Sequence, residues 1–583
     1  MKSHWIKKDK NIFADFVMIS GAVILFAILR KSIVNADTVW ELADEAGYLS
    51  NTAYFLGHDW EDVRATMPYY AFGYSVFLIP VYLFTNTGVE LIRGAMYINL
   101  FFAIGTYLIL IYLMEKVGKQ ENRILVSSIS FVVCLNSYLC CNVLKVDCEP
   151  LAVFWYCLAA LVLYRAMKTK KKYWFVLLGA VSSFLFFIHT RMFVLIFAMI
   201  LTLVITFLIY KEKNKVQLIW FGVAFLVCFI GMNFIKHSII SYAASLEGIN
   251  DSTNGNLVNR DYILDRIKWF MAPENIELYI LSFLSKVYYI VIVSAGTILF
   301  GYLSLCRDIF SVQTLNEDFP SYAVKLFLLS GMSLMVLACT LNGAGILENF
   351  CYFFYARYYE NTVIPMIAFS ILGLVTLKWK SKYYFIFITI ISGVGIGVSM
   401  LKNYLYNDNI WLDTARIPGF SWLTKNTSTF YEMILWGTAI SIFIIVAYYL
   451  INEFKPRSVI ILSLVLIMTW KSTSLGINRI NEVHVNSKPD AELAEYILDS
   501  GDCEKIYMID DESYSISRYY SRMQVLLKDI PVKVIYINEL DRMSEFQSGT
   551  WVLTYTSTTL KDTYLAEFEC VMSGQVFELW RKA

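Results

Sequence analysis

The chain has 583 residues, 57% of them hydrophobic and only 17% charged, with a mean hydropathy of +0.54 and a formal charge of +1 from 49 Lys+Arg against 48 Asp+Glu. A soluble chain is nearer half apolar and a quarter charged, so a soluble enzyme, a secreted disulfide scaffold and a disordered tail protein are excluded, and no global basic field is present for nucleic acid. The 11 Cys contain no CxxC pair and no metal spacing; Cys503 and Cys570, in the polar tail, are the pair that could bridge.

A bilayer crossing needs roughly 20 apolar residues, and about thirteen segments qualify. They lie near 12–29, 94–114, 124–141, 150–166, 173–188, 191–210, 216–236, 285–305, 323–341, 362–377, 383–402, 433–452 and 458–475. The first is followed by Arg30 and Lys31 and lacks a small-residue cleavage site, so it is a span and not a signal peptide. Short basic loops stay cytoplasmic. Lys2, Lys7, Lys8 and Lys10 therefore place the N-terminus inside, together with the basic runs at 165–172, 211–215, 378–382 and, more weakly, 453–457. The short apolar segment 71–84, with Gly73 and Pro80, would move three of these runs outside if it crossed. Parity therefore predicts a juxtamembrane helix that does not span.

The outer side then receives loops 30–93, 237–284, 342–361 and 403–432, the short turn 142–149 and everything after 476. The expected fold class is a polytopic α-helical membrane protein with outer juxtamembrane helices and a small C-terminal α/β domain. Residues 1–475 form the membrane unit and 476–583 the extracytoplasmic domain. In that domain 505–510, 532–537 and 551–555 read as strands, and 491–500 and 514–529 as helices. It has no Gly-rich phosphate loop and no obvious nucleophile.

Four outer features carry chemistry. Residues 40–54 show a helical pattern with Asp44 and Glu45 on its polar side, an amphipathic helix at the interface. A carboxylate beside a low-dielectric surface makes a better base; the plain alternative is a solvated face. Asp147 and Glu149 precede Pro150 at a helix start, where acids also serve simply to complement the helix dipole. His189 to Met192 (HTRM) divides a long apolar stretch and puts Arg191 close to the hydrocarbon boundary, facing a cavity or snorkelling to the interface. Arg357, Tyr358, Tyr359 and Glu360 open another span, where Arg beside tyrosines suits a lipid phosphate, or an aromatic belt with one anchor. A helix through Arg260, Asp261, Asp265, Arg266 and Lys268 could form a lid. His58, Asp59, Glu61 and Asp62 lack recognisable metal spacing.

These features, in this order, resemble the glycosyltransferase C superfamily, its protein O-mannosyltransferases and lipid A aminoarabinose transferases in particular. Asp44–Glu45 followed by Tyr48 is similar to the acidic motif of that family's first outer loop, and PYYAFGYSVFLIPVYLF to the juxtamembrane stretch behind it. Glu149–Pro150 sits where relatives carry a second acid; Arg191 and Arg357–Tyr358 match positions near the donor phosphate. The stretch before Gly73 is YYAF, not a His-Pro-Pro or Lys-Pro-Pro run, which leaves sugar and acceptor open. The resemblance implies an inverting membrane glycosyltransferase of the cell membrane. It would move a sugar from a polyprenyl-phosphate donor to a glycan, lipid or protein acceptor at the outer face, with membrane lipids as its surroundings. Asp44 would be the base, Glu45 its positioner and Glu149 a sugar or acceptor contact. Arg191, Arg357 and Tyr358 would hold the phosphate, and Tyr48, Asp147 and His189 would touch substrate. The spacing demands no metal or other cofactor, though a divalent cation bridging acid and phosphate is compatible with it. The rival readings are a lipid-linked sugar flippase or transporter and a glycan ligase or polymerase.

Overall fold

The computed structural model describes residues 2–40, 42–66, 70–209, 216–246, 268–269, 271–311, 318–344, 351–405, 417–426, 429–454, 456–510 and 519–583. The first half contains α1 (Lys2–Ile33), α2 (Leu42–Leu56), α3 (Glu61–Thr66), α4 (Gly73–Phe84), α5 (Gly88–Lys116), α6 (Arg123–Cys134), α7 (Ser137–Val143), α8 (Glu149–Thr169), α9 (Lys172–Ile188), α10 (Phe193–Ile209) and α11 (Val216–Ser245). The second half adds α12 (Ile276–Val293), α13 (Thr297–Ile309), α14 (Phe319–Ala344), α15 (Cys351–Phe354), α16 (Glu360–Thr376), α17 (Ser381–Leu405), α18 (Ser421–Asn426), α19 (Phe430–Ile451) and α20 (Arg457–Ser500). The tail is β1 (Ile506–Asp510), α21 (Tyr520–Leu527), β2 (Val532–Tyr536), β3 (Trp551–Tyr555), α22 (Lys561–Tyr564), β4 (Phe568–Ser573) and β5 (Phe577–Lys582).

Among the described residues ten helices are long and apolar enough to cross a membrane, or eleven if α6 and α7 form one span bent by 63°. The apolar α9 and α16, 17 residues each, are shorter. Eleven of the thirteen expected spans each coincide with one helix, and the one at 124–141 is the bent pair α6 and α7. One needs correction: the segment expected at 285–305 begins at Ile276 and breaks at Ser294–Gly296, with Ala295 and Gly296 at positive φ, before continuing as α13. The helix start is masked in the sequence by Glu277, Ser282 and Lys286, which interrupt the apolar run. Val227, Phe234, Phe385, Leu435 and Phe443 are exposed along the bundle, as lipid-facing side chains must be. At 12 residues, or about 18 Å, α4 is too short to cross. It approaches α9 so closely that a Cβ on Gly73 would meet the Phe187 carbonyl oxygen at 2.4 Å.

Local chemistry sets the helix starts. Thr87 Oγ1 accepts from the Glu90 amide at 3.2 Å while the Glu90 carboxylate accepts from the Asn86 amide at 2.7 Å, a reciprocal cap for α5. Pro150 occupies the first turn of α8, where its missing N–H is harmless. Asn136 caps α7 by accepting from the Tyr138 amide at 2.8 Å. The resulting bend turns Tyr138 toward the interior.

The tail forms a five-stranded sheet in the order β2-β1-β3-β5-β4. β1 pairs in parallel with β2 and β3, while β5 is antiparallel to β3 and β4. The three expected strands are present; β4 and β5 are additional to them. The described part of the helix expected at 514–529 is α21, and the helix expected at 491–500 is the end of the 44-residue α20, which runs unbroken from the bundle to the sheet domain. Cys503 and Cys570 remain free thiols. The His58–Asp62 stretch docks this domain. Lys533 Nζ lies 2.9 Å from Asp59 and 3.8 Å from Asp62, whose other oxygen accepts from the Val534 amide at 2.6 Å, and His58 pairs with Asp529 at 3.1 Å. Trp60 Nε1 donates to the Lys528 carbonyl at 2.7 Å. A Cβ on Gly88 would fall 2.1 Å from the Val525 carbonyl oxygen, so only glycine permits this approach of α5 to α21.

Candidate functional site: five charges around Arg357

The helix α2 is not the interfacial rod that its pattern suggests. Residues 45–53 are buried, because α4 and α21 cover it. Within it Glu45 is 0% exposed and faces backbone. Its Oε1 accepts from the Trp40 amide at 2.6 Å and its Oε2 from the Val146 amide at 2.7 Å. Glu45 therefore ties the first loop to the turn that carries Asp147 and Glu149. Asn99 on α5 holds the same turn from behind, donating to the carbonyls of Lys145 at 2.8 Å and Asp147 at 3.2 Å. Tyr48, expected to touch substrate, is also buried and donates to Cys148 Sγ at 2.9 Å. Burial pushes its phenol up, so it stays a donor.

Arg357, on a short 3-10 turn before α16, gathers the acids. Its Nη1 pairs with Asp44, its Nη2 with Asp147 at 2.7 Å and its Nε with Glu149 at 3.1 Å. Tyr138 fixes this hub, donating to Glu149 at 2.7 Å and to the Arg357 carbonyl at 3.1 Å. Tyr70 donates to Asp44 at 2.6 Å. Tyr138 is not among the residues that the sequence singles out, and Tyr70 enters there only within the stretch PYYAFGYSVFLIPVYLF. Asp44 is the open member of the cluster: its side chain is 28% exposed against 1% for Asp147 and 0% for Glu149.

Arg191 completes the group. Its Nη2 pairs with Glu149, its guanidinium stacks 4.7 Å from the Tyr358 ring, and its Nε and Nη1 are buried without a hydrogen-bond partner. His189 Nδ1 accepts from the Arg191 amide at 3.3 Å. Burial, with Arg191 and Arg357 nearby, holds His189 well below its usual range, so its imidazole is neutral. Asp44, Asp147, Glu149, Arg191, Arg357, Tyr358 and His189 are thus brought together, while Glu45 and Tyr48 support them from behind. Most of the expected lid, residues 260–266, lies outside the described residues.

Three carboxylates facing two guanidinium groups leave the cluster one negative charge in excess. Ligand atoms of Asp147, Cys148 and Glu149 lie within 4.8 Å of one another, a spacing that could hold a metal ion. The donor set does not fit one, however. Both carboxylates are already neutralised by arginine and Cys148 accepts from Tyr48, so an ion would have to displace them. What the arrangement offers is one accessible carboxylate, Asp44 on Arg357, and, paired with Glu149, a second guanidinium whose Nε and Nη1 make no hydrogen bond.

No family model and no curated protein matches this chain. Solved structures do. The chain is similar to ArnT from Cupriavidus metallidurans in its undecaprenyl phosphate-bound form, at 11% identity and a TM-score of 0.50 over 96% of this chain and 97% of that one. The apo form of the same protein gives 12% and 0.49 over 96% and 98%. AglB, the oligosaccharyltransferase of Archaeoglobus fulgidus in complex with an inhibitory peptide and a dolichol-phosphate, gives 12% and 0.40 over 94% and 70%. The first likeness runs through nearly the whole of both chains, and the present chain shares that fold, with ten or eleven helices among the described residues long and apolar enough for a multi-pass membrane protein.

Proposed function

We propose that this protein is an inverting membrane glycosyltransferase that takes a sugar from a polyprenyl-phosphate carrier. The observation that carries this reading is the convergence of Asp44, Glu149, Arg191 and Arg357 from four distant stretches, with Nε and Nη1 of Arg191 unpartnered. The undecaprenyl phosphate bound to the similar ArnT supplies the ligand class.

The acceptor hydroxyl attacks the anomeric carbon on the face opposite the phosphate. Asp44 takes its proton as the bond forms. The bond from the anomeric carbon to the phosphate oxygen breaks, and its electron pair stays on the carrier phosphate, held by Nε and Nη1 of Arg191. Arg357, whose three nitrogens each bond a carboxylate, keeps Asp44 and Glu149 at fixed separation. It joins the phosphate only if it releases one of them. Glu149, Asp147 and His189 line the sugar side, with Tyr358 stacked on Arg191. Glu45 and Tyr48 act by fixing the backbone that presents the acids.

The site end of the bundle faces outward in this reading, with the N-terminus cytoplasmic. Residues 1–475 act as the transferase unit, and 476–583 as an extracytoplasmic domain. A tag after residue 86 is then reachable from outside and a tag at Lys170 is not. The functional test is transfer from a panel of polyprenyl-phosphate sugars in membranes. Wild type releases polyprenyl phosphate, and Asp44→Asn at equal expression does not. Full activity of Asp44→Asn would remove Asp44 as base, while movement of a lipid-linked sugar between leaflets without donor consumption would replace the transferase by a transporter.

A further inference from the structure

A second group of charges lies at the end of the bundle opposite the Arg357 cluster. α6 runs from Arg123 toward the elbow whose Tyr138 bonds the Arg357 carbonyl, so its first residue is at the far end. There Arg123 Nη1 donates to Asp15 on α1 at 3.2 Å, and its Nε lies 3.0 Å from Glu115 on α5. The apolar part of α1 begins at Ile12, just before Asp15, and the span of α5 ends at Lys116, just after Glu115. The three charges therefore sit at the level where hydrocarbon gives way to headgroups.

They border a cavity of about 250 Å³ between α1, α5 and α6, with Ala14, Leu108 and Ser127 among its other walls. Two observations point to a ligand in it. Ser127 is 2% exposed, and its Oγ has no hydrogen-bond partner, which is costly unless an occupant supplies one. The charges in the wall also do not balance: two carboxylates face one guanidinium, whose Nη2 takes part in neither pair. An occupant that brings a cation with N–H donors satisfies the acids, and one that also carries an anionic oxygen satisfies the guanidinium. The mouth says where such an occupant comes from. Leu108 in the wall is 44% exposed, and Ile19, one turn from Asp15 on α1, is 58% exposed. On a membrane span such faces lie against acyl chains. A small amine from solution would leave them bare, whereas a phospholipid covers them while its headgroup enters the cavity.

We propose that this cavity binds the headgroup of a lipid of the phosphatidylethanolamine class, in the leaflet opposite the Arg357 cluster. The ammonium donates to Asp15 and Glu115, the phosphate accepts from Arg123, and the chains run along Ile19 and Leu108. A choline headgroup carries the same charge but no N–H to donate. A glycerol headgroup leaves the lipid anionic in front of two carboxylates. The proposal needs the chain to span a membrane and is independent of the transferase reading.

The test is native mass spectrometry of the full chain, delipidated in detergent at neutral pH. It is titrated with phosphatidylethanolamine, phosphatidylcholine and phosphatidylglycerol of equal chain length. Wild type should take phosphatidylethanolamine as its first lipid by on the order of tenfold over either of the others, the net worth of one charge-assisted hydrogen bond. Asp15→Asn combined with Glu115→Gln should bring the three lipids close to parity. Ala14→Phe, which fills the cavity and leaves every charge in place, should do the same. Ratios between lipids do not depend on the fraction of protein that is folded. Wild type that binds the three lipids equally, or phosphatidylglycerol most tightly, overturns the proposal, as does an acid variant that keeps the wild-type preference. An Ala14→Phe variant that keeps the preference while the acid variant loses it overturns the cavity as the site and leaves only attraction at an open surface.

Discussion

Arg357 and Lys533 each gather three carboxylates, and the two gatherings could hardly differ more in setting. Arg357 is 8% exposed and its partners Asp44, Asp147 and Glu149 are 28%, 1% and 0% exposed. Lys533 is 27% exposed, and Asp59, Glu61 and Asp62 around it are 43%, 49% and 28% exposed. Water screens the second group, so it contributes little energy and sets only where the tail domain rests. In the first group Asp147 and Glu149 have no such screening. Those two acids and Arg357 are costly to leave alone, and that cost holds them in one arrangement. Three carboxylates about one cation thus make a screened docking surface in one place and a buried charge cluster in the other.

The comparison breaks most visibly at Arg357. Arg357→Leu strands Asp147 and Glu149 in the interior and should destabilise the fold by about 3–5 kcal/mol, read as a large fall in melting temperature in detergent. Asp44→Asn leaves an uncharged group of the same size at the open edge. Melting should change little while transfer falls by about 10²–10⁴-fold, the range of general-base contributions. An equal loss of stability in both variants would show that Asp44 is as structural as its buried neighbours.

A third test lies between the regions. His484, on α20 beyond its apolar part, is 2% exposed with both ring nitrogens unpartnered; burial, then Arg522 and Arg93, lower it to about 4. The folded protein therefore resists a proton that the unfolded chain accepts below about 6.5. Stability is complete above that pH and declines as pH falls toward 4, by at most about 3 kcal/mol. His484→Asn should flatten this acid limb in thermal scans from pH 7 to 4. The smallest effect belongs to the docking patch. Lys533→Ala should cost about 0.2–1 kcal/mol, visible as faster hydrogen exchange in β2 and weaker still at high salt.

What the sequence displays, and what it hides, follows from the same contrast. Charges at the ends of apolar runs stand out, so Asp44, Asp147, Glu149, Arg191 and Arg357 are legible from the order of residues alone. The long apolar runs make the spans legible too. Tyr70 and Tyr138 are not, because a tyrosine in a chain with 40 of them gains meaning only from the oxygen it points at. Glu45 looks like a twin of Asp44, since adjacent positions on a helix face different surroundings and only the packing says which is buried. Lys286 vanishes inside its hydrophobic neighbours, where it merely displaces the apparent start of a span. β4 is an edge strand without regular alternation, its exposure running partly buried, exposed, exposed, and it offers no period-two signal.

The unbroken helix from Arg457 to Ser500 has a mechanical consequence. At 44 residues it is a rod of about 66 Å, with one end bearing the sheet and the other embedded in the bundle. Thr473, near its middle, donates to the Leu135 carbonyl at the elbow between α6 and α7, two residues before the turn that delivers Tyr138. A push on the sheet is thereby passed by leverage to the elbow, and Pro489, which removes one rung of the backbone ladder, is where such a rod would yield first.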